Sequence, residues 1–270
     1  MRIIIGDGKV SHIIRKNNDV ILAHKDIEIG SIDSVYATLS KLPANTVVIN
    51  TAAKINLEWC EANPRDAYLV NTTGALNVMK VCALSSLKLV HLSSGCIFDG
   101  NSEESFETSP PTPSAVYTRT KTWADEFISN HGYENYLILR PRQLVSAKAH
   151  PTNMLTKFAS MQKINAIDEP NSITCIEDLS DMIDHLLEKN CTGIYNCANS
   201  DVVSPYEIAL MIKDSLNQNL EVEKIAYEDY LKTLSVKRVN TILNIDKLLS
   251  TGFNVRSASD ALKWCIKNYG

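Results

Sequence analysis

Short apolar runs alternate with longer segments of mixed polarity over the first two-thirds of the chain. The runs are rich in Ile, Val and Leu, which is typical of strands buried on both faces, and they cover residues 2–5, 20–23, 46–50, 88–92, 136–140 and 193–196. The segments between them predict helices, notably at residues 32–41, 67–84, 116–130 and 176–189. This alternation indicates an α/β fold, a Rossmann-like doubly wound parallel sheet.

Shorter elements follow residue 141 and predict a smaller C-terminal α/β substrate lobe. They are a helix at 152–162, a strand at 164–167 and helices at 204–216 and 259–268. The helix at 204–216 opens with Ser-Pro-Tyr-Glu, a capping-box sequence. We therefore predict a dinucleotide-binding domain at 1–141, to which 172–196 return, and a substrate-binding lobe made of 142–171 and 197–270.

Composition and charge exclude several classes of protein. The 270 residues carry a net charge of -4 and no long basic run, which argues against a nucleic-acid partner. No apolar segment reaches the ~18 residues of a membrane span, and the N-terminus is typical of a strand rather than a signal peptide. The seven cysteines lack Cys-x-x-Cys spacing. We therefore expect a cytoplasmic protein with no membrane partner and no metal site.

A serine, a tyrosine and a lysine form the most specific pattern in the chain. Ser94 follows the apolar run at 88–92, and Tyr117 and Lys121 lie four residues apart, on one face of a predicted helix. A lysine charge beside a phenol lowers the pKa of the phenol, and a serine hydroxyl helps to hold a carbonyl oxygen. The spacing predicts a catalytic group that moves a proton at a carbonyl.

Glycines after the first strand predict a dinucleotide turn. The segment Gly6-Asp7-Gly8-Lys9-Val10 brings backbone N–H groups near a pyrophosphate. Ser11 stands where a third glycine is usual, and the turn alone fits an ordinary strand–helix junction equally well. Lys25 after the second strand favours a 2′-phosphate and hence NADPH, whereas Asp26 leaves NADH possible.

Other cofactor contacts are predicted near the same strand ends. An asparagine in the middle of a helix usually faces solvent or bonds the backbone. The alternative for Asn71 is that its side chain bonds the active-site residues through a water molecule. The remaining predicted cofactor-binding residues are Ile27, Thr51, Ala52, Ala53, Tyr117 and Lys121.

The chain resembles the extended short-chain dehydrogenases/reductases, specifically their dTDP-4-dehydrorhamnose reductase branch. The matching segments are Asn50-Thr51-Ala52-Ala53, Glu61-Ala62-Asn63-Pro64, Asn71, Phe98-Asp99-Gly100, Tyr117 with Lys121, Leu139-Arg140 and Arg238-Val239-Asn240. Other segments are closer to the plant-type UDP-4-keto-6-deoxyglucose 3,5-epimerase/4-reductases: Gly95-Cys96-Ile97-Phe98, Trp59-Cys60-Glu61, Thr156-Lys157 with Lys163, and Pro170-Asn171-Ser172-Ile173-Thr174. The Ser94–Cys96 spacing is also similar to that of GDP-fucose synthase.

This resemblance implies a two-step reaction in one pocket. A 4-keto group acidifies the protons on C3 and C5 of the sugar, so Cys96 and Lys163 are the implied proton-handling pair, one for each face of the ring. Ser94 and Tyr117 are implied to hold O4, and Lys121 to bind the nicotinamide ribose. The implied substrate-binding residues are Ser94, Cys96, Arg142, Asn153 and Arg238.

Three readings of function stay open at this stage. The first is a bifunctional 3,5-epimerase/4-reductase that converts a nucleotide-linked 4-keto-6-deoxyglucose to the rhamnose form with NADPH. The second is a reductase without epimerase activity, and the third is a non-catalytic NAD(P)-binding regulatory subunit. The resemblance also implies a homodimer.

Overall fold

The computed structural model of the protein describes residues 1–100 and 103–270. The strands in these ranges are β1 (Arg2–Ile5), β2 (Val20–Leu22), β3 (Val47–Asn50), β4 (Lys88–Leu92), β5 (Tyr136–Pro141), β6 (Leu144–Val145), β7 (Lys163–Ile167), β8 (Thr174–Cys175), β9 (Gly193–Cys197) and β10 (Glu221–Ile225).

The α-helices alternate with these strands. They are α1 (Lys9–Ile14), α2 (Ile32–Leu39), α3 (Leu57–Ala62), α4 (Pro64–Tyr68), α5 (Ala75–Leu84), α6 (Val116–Asn130), α7 (Met154–Ala159), α8 (Ile176–Glu188), α9 (Pro205–Ser215), α10 (Tyr227–Lys232), α11 (Asp246–Ser250) and α12 (Ala258–Lys267). A π-helix covers Leu69–Gly74 and a 3₁₀ turn covers Gly95–Ile97.

The main sheet has six parallel strands in the order β2-β1-β3-β4-β5-β9. Each strand alternates its side chains between two cores. Ile5 of β1 and Leu89 of β4 pack with α2, α5 and α6, whereas Ile4 of β1 and Val90 of β4 pack with α1 and α8. The predicted doubly wound α/β sheet is therefore confirmed.

A third core forms beside the sheet and gathers elements that follow residue 141. It joins β6, β7 and β8 to α7, α9 and α12 through residues such as Val145, Leu155, Ile208 and Leu262. β7 pairs with β10, and β6 pairs with β8, both in parallel. Ser204 and Glu207 form the predicted capping box at the start of α9. The lobe boundaries themselves stay a prediction.

Several short elements were missed because their sequences carry no apolar period. β10 has the sequence Glu-Val-Glu-Lys-Ile and has no fully buried residue, and α10 likewise has none. β6 and β8 contain two residues each, which is too short for a periodic signal.

The predicted helix at 67–84 is wrong as a single α-helix. The structure begins it earlier, at Pro64, and interrupts it with the π-helix. In that turn Asn71 binds the backbone of Lys54, and Thr72 Oγ1 donates to the Thr120 carbonyl over 2.8 Å. We attribute the wider turn to these bonds, because a π-turn forms where a helix must accommodate local contacts.

The predicted loop at 101–114 lies partly outside the described residues, since 101 and 102 are not described. The described part is attached to β9, because Glu107 Oε1 accepts a hydrogen bond from the Asn196 N–H over 2.9 Å. Among the described residues, no helix is long and apolar enough to cross a membrane.

We predict that Gly100→Ala lowers the free energy of unfolding by about 2 kcal/mol or more. Gly100 has a φ of +77°, and a Cβ there would lie 1.9 Å from the carbonyl oxygen of Asn240. Gly132 is the matched control: its φ is +81°, but a Cβ would meet no atom within 4 Å. Urea unfolding followed by circular dichroism measures both variants, and equal losses would contradict the clash.

Candidate active site

The carboxyl ends of the central strands bring the predicted segments to one edge of the sheet. β1 lies between β2 and β3, so the chain leaves β1 on one side and returns on the other. In open α/β sheets ligands bind at such a switch point, beyond the carboxyl ends of the strands. Gly6, Thr51 and Ser93 follow β1, β3 and β4 at this edge.

Tyr117 and Ser94 meet beyond the end of β4. Tyr117 is only 9% exposed. Its burial, and next the charge of Cys96, raise the pKa of Tyr117, while a hydrogen bond with the Ser94 side chain and the charge of Arg142 lower it. The net direction is upward, so the predicted lowering of the Tyr117 pKa by Lys121 is wrong, because burial outweighs the nearby positive charge. Tyr117 keeps its proton at neutral pH and can donate it.

The first turn of α6 fixes the position of Tyr117. The Ala115 N–H donates to Thr118 Oγ1 over 3.0 Å, and the Val116 N–H donates to Glu61 Oε1 over 2.7 Å. These two acceptors satisfy backbone donors that a helix start leaves without partners. The helix therefore begins at Val116, the predicted residue.

Cys96 belongs to the same group of side chains. Its backbone N–H donates to Ser94 Oγ over 3.1 Å, and Arg142 Nη1 donates to Cys96 Sγ over 3.1 Å. Arg142 Nη2 donates to the Val239 carbonyl. Arg142 therefore lies in the Cys96 group, with its Nε buried and without a hydrogen-bond partner among the described residues, and its substrate-binding role stays a prediction.

Lys121 lies beneath this group, with only 1% of its surface exposed. Its Nζ donates to the Leu92 carbonyl over 2.8 Å and lies 3.1 Å from His91 Nε2. Burial lowers the pKa of Lys121 to about 8, and the charge of Asp125 opposes that effect. Burial and the Lys121 charge hold the pKa of His91 well below its ordinary value, so the imidazole is neutral.

The glycine turn is closely packed at Gly6, whereas a Cβ at Gly8 would meet no atom of the described residues within 4 Å, so contact of Gly8 with a dinucleotide stays a prediction. Gly6 has a φ of +108°, and a Cβ there would lie 2.8 Å from Thr51 Oγ1 and 3.0 Å from the Ala52 nitrogen. Only glycine lets β1 end this close to the segment after β3. Thr51 Oγ1 also bonds Ser11 Oγ over 2.8 Å, so Ser11 replaces the usual third glycine with a hydrogen bond.

Lys9 extends from the turn toward the second lobe. The pKa of Lys9 is lowered to about 8, first by burial and next by the charge of Lys157 on α7. The charge of Glu177 opposes this effect. The pKa of Glu58 is also lowered, first by a backbone hydrogen bond and in smaller part by Arg238 and Lys157. Lys157 therefore lies within electrostatic reach of both lobes, and it was not predicted as a site residue.

The residues predicted to contact the cofactor after β2 and around Asn71 differ in their burial and in their bonding partners. Lys25 is exposed and stays a prediction, whereas Asp26 Oδ2 accepts from the Ala23 N–H over 2.9 Å. Ile27 packs in the core, so its side chain is not open to a nucleotide. Asn71 is buried and joins the Lys54 backbone directly to Thr120, at 3.0 Å from Thr120 Oγ1. Val10 is also part of the core, and Ala52 and Ala53 are half-buried.

Two residues predicted from the resemblance, Lys163 and Asn153, bond other parts of the protein. The Lys163 side chain is 52% exposed and pairs with Glu223 over 2.6 Å, and the structure does not join it to the Tyr117 group. Asn153 is buried, and its Nδ2 donates to the carbonyls of Ser146 and Lys148. The Asn153 amide nitrogen thus holds this loop, while its Oδ1 has no partner in the described part of the chain, and a substrate role for Asn153 stays a prediction.

Arg238 spans the two lobes. Its Nη2 donates to Glu58 Oε1 on α3 over 2.7 Å, and the Arg238 carbonyl accepts from the Tyr227 hydroxyl over 3.3 Å. The guanidinium is nearly half exposed, so it remains open to an anionic substrate at the junction.

One set of potential metal ligands exists among the described residues, and it lies away from the Tyr117 group. Cys175 Sγ is 3.6 Å from Cys265 Sγ and 3.2 Å from Glu177 Oε2. Arg256 Nη2 approaches Cys175 Sγ to 3.6 Å, which puts a positive charge where a cation would bind. This arrangement gives no support to a metal site.

Sequence reasoning missed His91 and Asn50. Both are polar residues in otherwise apolar strands, and both point into the interior, with Asn50 Nδ2 3.4 Å from His91 Nδ1. A buried polar group in such a strand needs a partner, and that signal was available in the sequence.

Comparison with known proteins shows which protein family the chain resembles over most of its length. A family model described as the RmlD substrate binding domain matches residues 8–270. The bifunctional dTDP-4-dehydrorhamnose 3,5-epimerase/dTDP-4-dehydrorhamnose reductase of Arabidopsis thaliana is 30% identical over 216 residues, which covers 77% of this chain and 70% of the relative.

Two solved structures share the fold over nearly the whole chain. The dTDP-4-dehydrorhamnose reductase of Bacillus anthracis, in complex with NADP, has a TM-score of 0.90 at 22% identity and covers 98% of each chain. The L780 UDP-rhamnose synthase of Acanthamoeba polyphaga mimivirus has a TM-score of 0.86 at 22% identity and covers 99% of each chain.

We predict that two lysine side chains titrate near pH 8, in agreement with the lowered pKa values of Lys9 and Lys121. NMR of protein labelled with ¹³C-lysine measures the titration of each ammonium, and Lys9→Met and Lys121→Met assign the two signals. A short model peptide that contains lysine provides the reference, near pH 10.4. If every lysine titrated above about pH 10, the burial of these two amines would be contradicted.

Proposed function

The chain belongs to the RmlD substrate-binding-domain family, and on that premise we propose that it is an NADPH-dependent reductase of a nucleotide-linked 4-keto-6-deoxy sugar. The observation that carries this proposal is the buried contact of Ser94 with Tyr117 at the switch point of the sheet, with Lys121 one helical turn away. Names of relatives supply the substrate class, and the NADP bound to the Bacillus anthracis structure supports the cofactor.

In the proposed reduction, Ser94 and Tyr117 hold the O4 oxygen of the sugar by hydrogen bonds. NADPH supplies the hydride to C4 when it is bound. Tyr117 donates its proton to O4, because the phenol is protonated before the reaction. Lys121 then provides the proton that restores the phenol, and Gly6 and Thr51 shape the cofactor turn.

We further propose that the same pocket epimerises C3 and C5 before the reduction, as the name of the Arabidopsis relative states for that protein. The supporting observation is the position of Cys96. It lies close enough to Tyr117 to influence the pKa of the phenol, and its sulfur accepts a hydrogen bond from Arg142 over 3.1 Å. Cys96 Sγ would remove a proton from the ring carbon while Ser94 and Tyr117 stabilise the negative charge on O4.

The second proton-handling group must approach the opposite face of the sugar. Lys163 was predicted for this role, but it is exposed and paired with Glu223. Lys157 is another candidate, because its charge acts on Lys9 after β1 and, more weakly, on Glu58 of α3. We therefore propose Lys157 as the group that returns the proton, with Lys163 as the untested alternative.

Solvent exchange tests the two activities separately. The protein is incubated with UDP- and dTDP-4-keto-6-deoxyglucose in D₂O, with and without NADPH, and the products are analysed by NMR. We expect deuterium at C3 and C5 without NADPH and a rhamnose-configured product with it. Reduction without exchange would support the reductase that lacks epimerase activity, and neither event would favour a regulatory subunit.

We predict that Cys96→Ala lowers the exchange rate at C3 and C5 by roughly 10²-fold or more, because it removes one proton-handling group. Reduction of a pre-epimerised sugar should be nearly unchanged. Cys191→Ala is the matched control, since Cys191 is half-buried on the far side of β5 near Lys88. Equal loss of exchange and reduction in Cys96→Ala would contradict a separate role for the thiol.

We predict that Tyr117→Phe lowers kcat for reduction by roughly 10²- to 10⁴-fold, because the proton donor is lost while the ring stays in place. Steady-state kinetics with NADPH measure the effect, and Tyr133→Phe, which loses its bond to the Leu87 carbonyl, is the control. A Tyr117→Phe enzyme with normal kcat would contradict the proposed acid.

We also propose the homodimer that the resemblance implied. The support is an exposed aromatic face in which Tyr68 and Trp123 are 5.2 Å apart and Trp123 and Phe127 are 6.4 Å apart. Sedimentation velocity over a range of protein concentrations tests this assembly.

A further inference from the structure

Two cysteines that are 90 residues apart in the sequence meet in the core beside the main sheet. Cys175 ends β8, Cys265 lies on α12, and both are fully buried. Their sulfur atoms are 3.6 Å apart. The S–S bond of a disulfide is about 2 Å long, so a small movement of the two side chains would bring the sulfurs within bonding distance.

The hydrogen bonds around Cys175 have a fixed direction. Glu177 Oε2 lies 3.2 Å from Cys175 Sγ, and a carboxylate can only accept, so the Cys175 proton points at Glu177. A thiol has one proton, and the Cys265 S–H is therefore the donor in the contact between the two sulfurs. Cys175 thus has an acceptor for its proton and a second thiol beside its sulfur.

A guanidinium also reaches the Cys175 sulfur. Arg256 Nη2 lies 3.6 Å from Cys175 Sγ and donates to Asp178 Oδ1 over 2.6 Å. A positive charge beside a sulfur stabilises the thiolate, which is the reactive form of a cysteine. The Arg256 side chain is 29% exposed. Cys175 Sγ therefore lies one side chain below the solvent, within reach of a small reagent when Arg256 moves.

Cys265 has different surroundings from Cys175. The hydrogen bond with Cys175, and next burial, raise the pKa of the Cys265 thiol, so this thiol keeps its proton at neutral pH. An acceptor for its proton and a guanidinium both lie at Cys175. Cys175 is therefore the sulfur that reacts first, and Cys265 is placed to react second.

We propose that Cys175 and Cys265 form a redox modification site, at which a hydroperoxide such as hydrogen peroxide converts the two thiols to a disulfide. Glu177 takes the Cys175 proton, and the thiolate attacks one peroxide oxygen and becomes a sulfenic acid. The other peroxide oxygen leaves as water with the proton from Glu177. The Cys265 sulfur then attacks the sulfenic sulfur, and the hydroxyl leaves as a second water with the Cys265 proton. Each sulfur loses one electron, and the peroxide gains two.

The disulfide would join α12 to β8 and close a loop that contains β9 and α9. A crosslink across so long a loop restricts the unfolded chain, so the oxidised protein should resist heat better than the reduced protein. Disulfides in the cytoplasm are usually transient and respond to the redox state. The pair would therefore make the stability of this lobe depend on oxidation.

Mapping of thiols in the full chain is the first test. The reduced protein is treated with hydrogen peroxide, free thiols are blocked with N-ethylmaleimide, and the digest is analysed by mass spectrometry. We expect two peptides joined through Cys175 and Cys265, and a melting temperature that is higher by about 5 °C or more. If both thiols stayed free, or if each paired with another cysteine, the proposal would be overturned.

Reciprocal variants test the order of the two steps. Cys265→Ser removes the second thiol, so a sulfenic acid should accumulate at Cys175 and react with dimedone. In Cys175→Ser the remaining Cys265 should stay unlabelled under the same conditions. Neither variant should gain heat resistance on oxidation. Equal labelling of the two variants, or labelling at Cys265 alone, would contradict the assignment of Cys175 as the first sulfur.

Glu177→Gln tests the acceptor of the proton. We expect disulfide formation to slow by roughly tenfold or more, because the amide is a far weaker base than the carboxylate. Glu188→Gln removes the same charge at the exposed end of α8 and is the matched control. Equal rates in the two variants would overturn the role of Glu177. These measurements use the protein without a sugar or a cofactor, so their outcome is independent of the proposed reductase activity.

Discussion

The burial of the Lys121 amine is the constraint on which the site depends. An amine inside a protein must find acceptors or lose its charge, because an uncompensated buried charge costs several kcal/mol. Here the acceptors come from β4, through the Leu92 carbonyl, and α6 must lie against β4 for the contact to form. Asp125 and Arg140 continue the same buried polar network one turn further along. The position of α6, the end of β4 and the arrangement of Ser94, Tyr117 and Lys121 therefore depend on one another.

One short segment, residues 239–241, contacts the surroundings of this group. The Val239 carbonyl accepts from Arg142, the Asn240 carbonyl lies against Gly100, and Thr241 Oγ1 is 3.4 Å from the Phe98 carbonyl. All three contacts lie next to Cys96. In our proposal Cys96 distinguishes an epimerase from a plain reductase, and Arg142 links this residue to the segment 239–241.

Elements whose sequence carries a strong local signal could be predicted. The buried strands have uninterrupted apolar runs, and α6 was predicted with its observed bounds because Val116–Asn130 follows a polar loop and keeps an apolar face. The pairing of Ser94 with Tyr117 followed from spacing alone. The sequence could not reveal the direction of long side chains. Arg142 bonds the Cys96 thiol, Lys163 pairs with Glu223, and Asn153 holds a loop, because these contacts join residues distant in the chain.

The measurement that tests the account most directly follows hydride and proton at C4 of the sugar. The protein is given a pre-epimerised 4-keto-6-deoxy sugar nucleotide and NADPH carrying deuterium at C4 of the nicotinamide, and the product is analysed by NMR and mass spectrometry. The account predicts one deuterium at C4 of the sugar, transferred by the native protein and by Cys96→Ala but nearly lost in Tyr117→Phe. A product without deuterium at C4, or full transfer by Tyr117→Phe, would contradict the claim that the Ser94, Tyr117 and Lys121 group is the site of reduction.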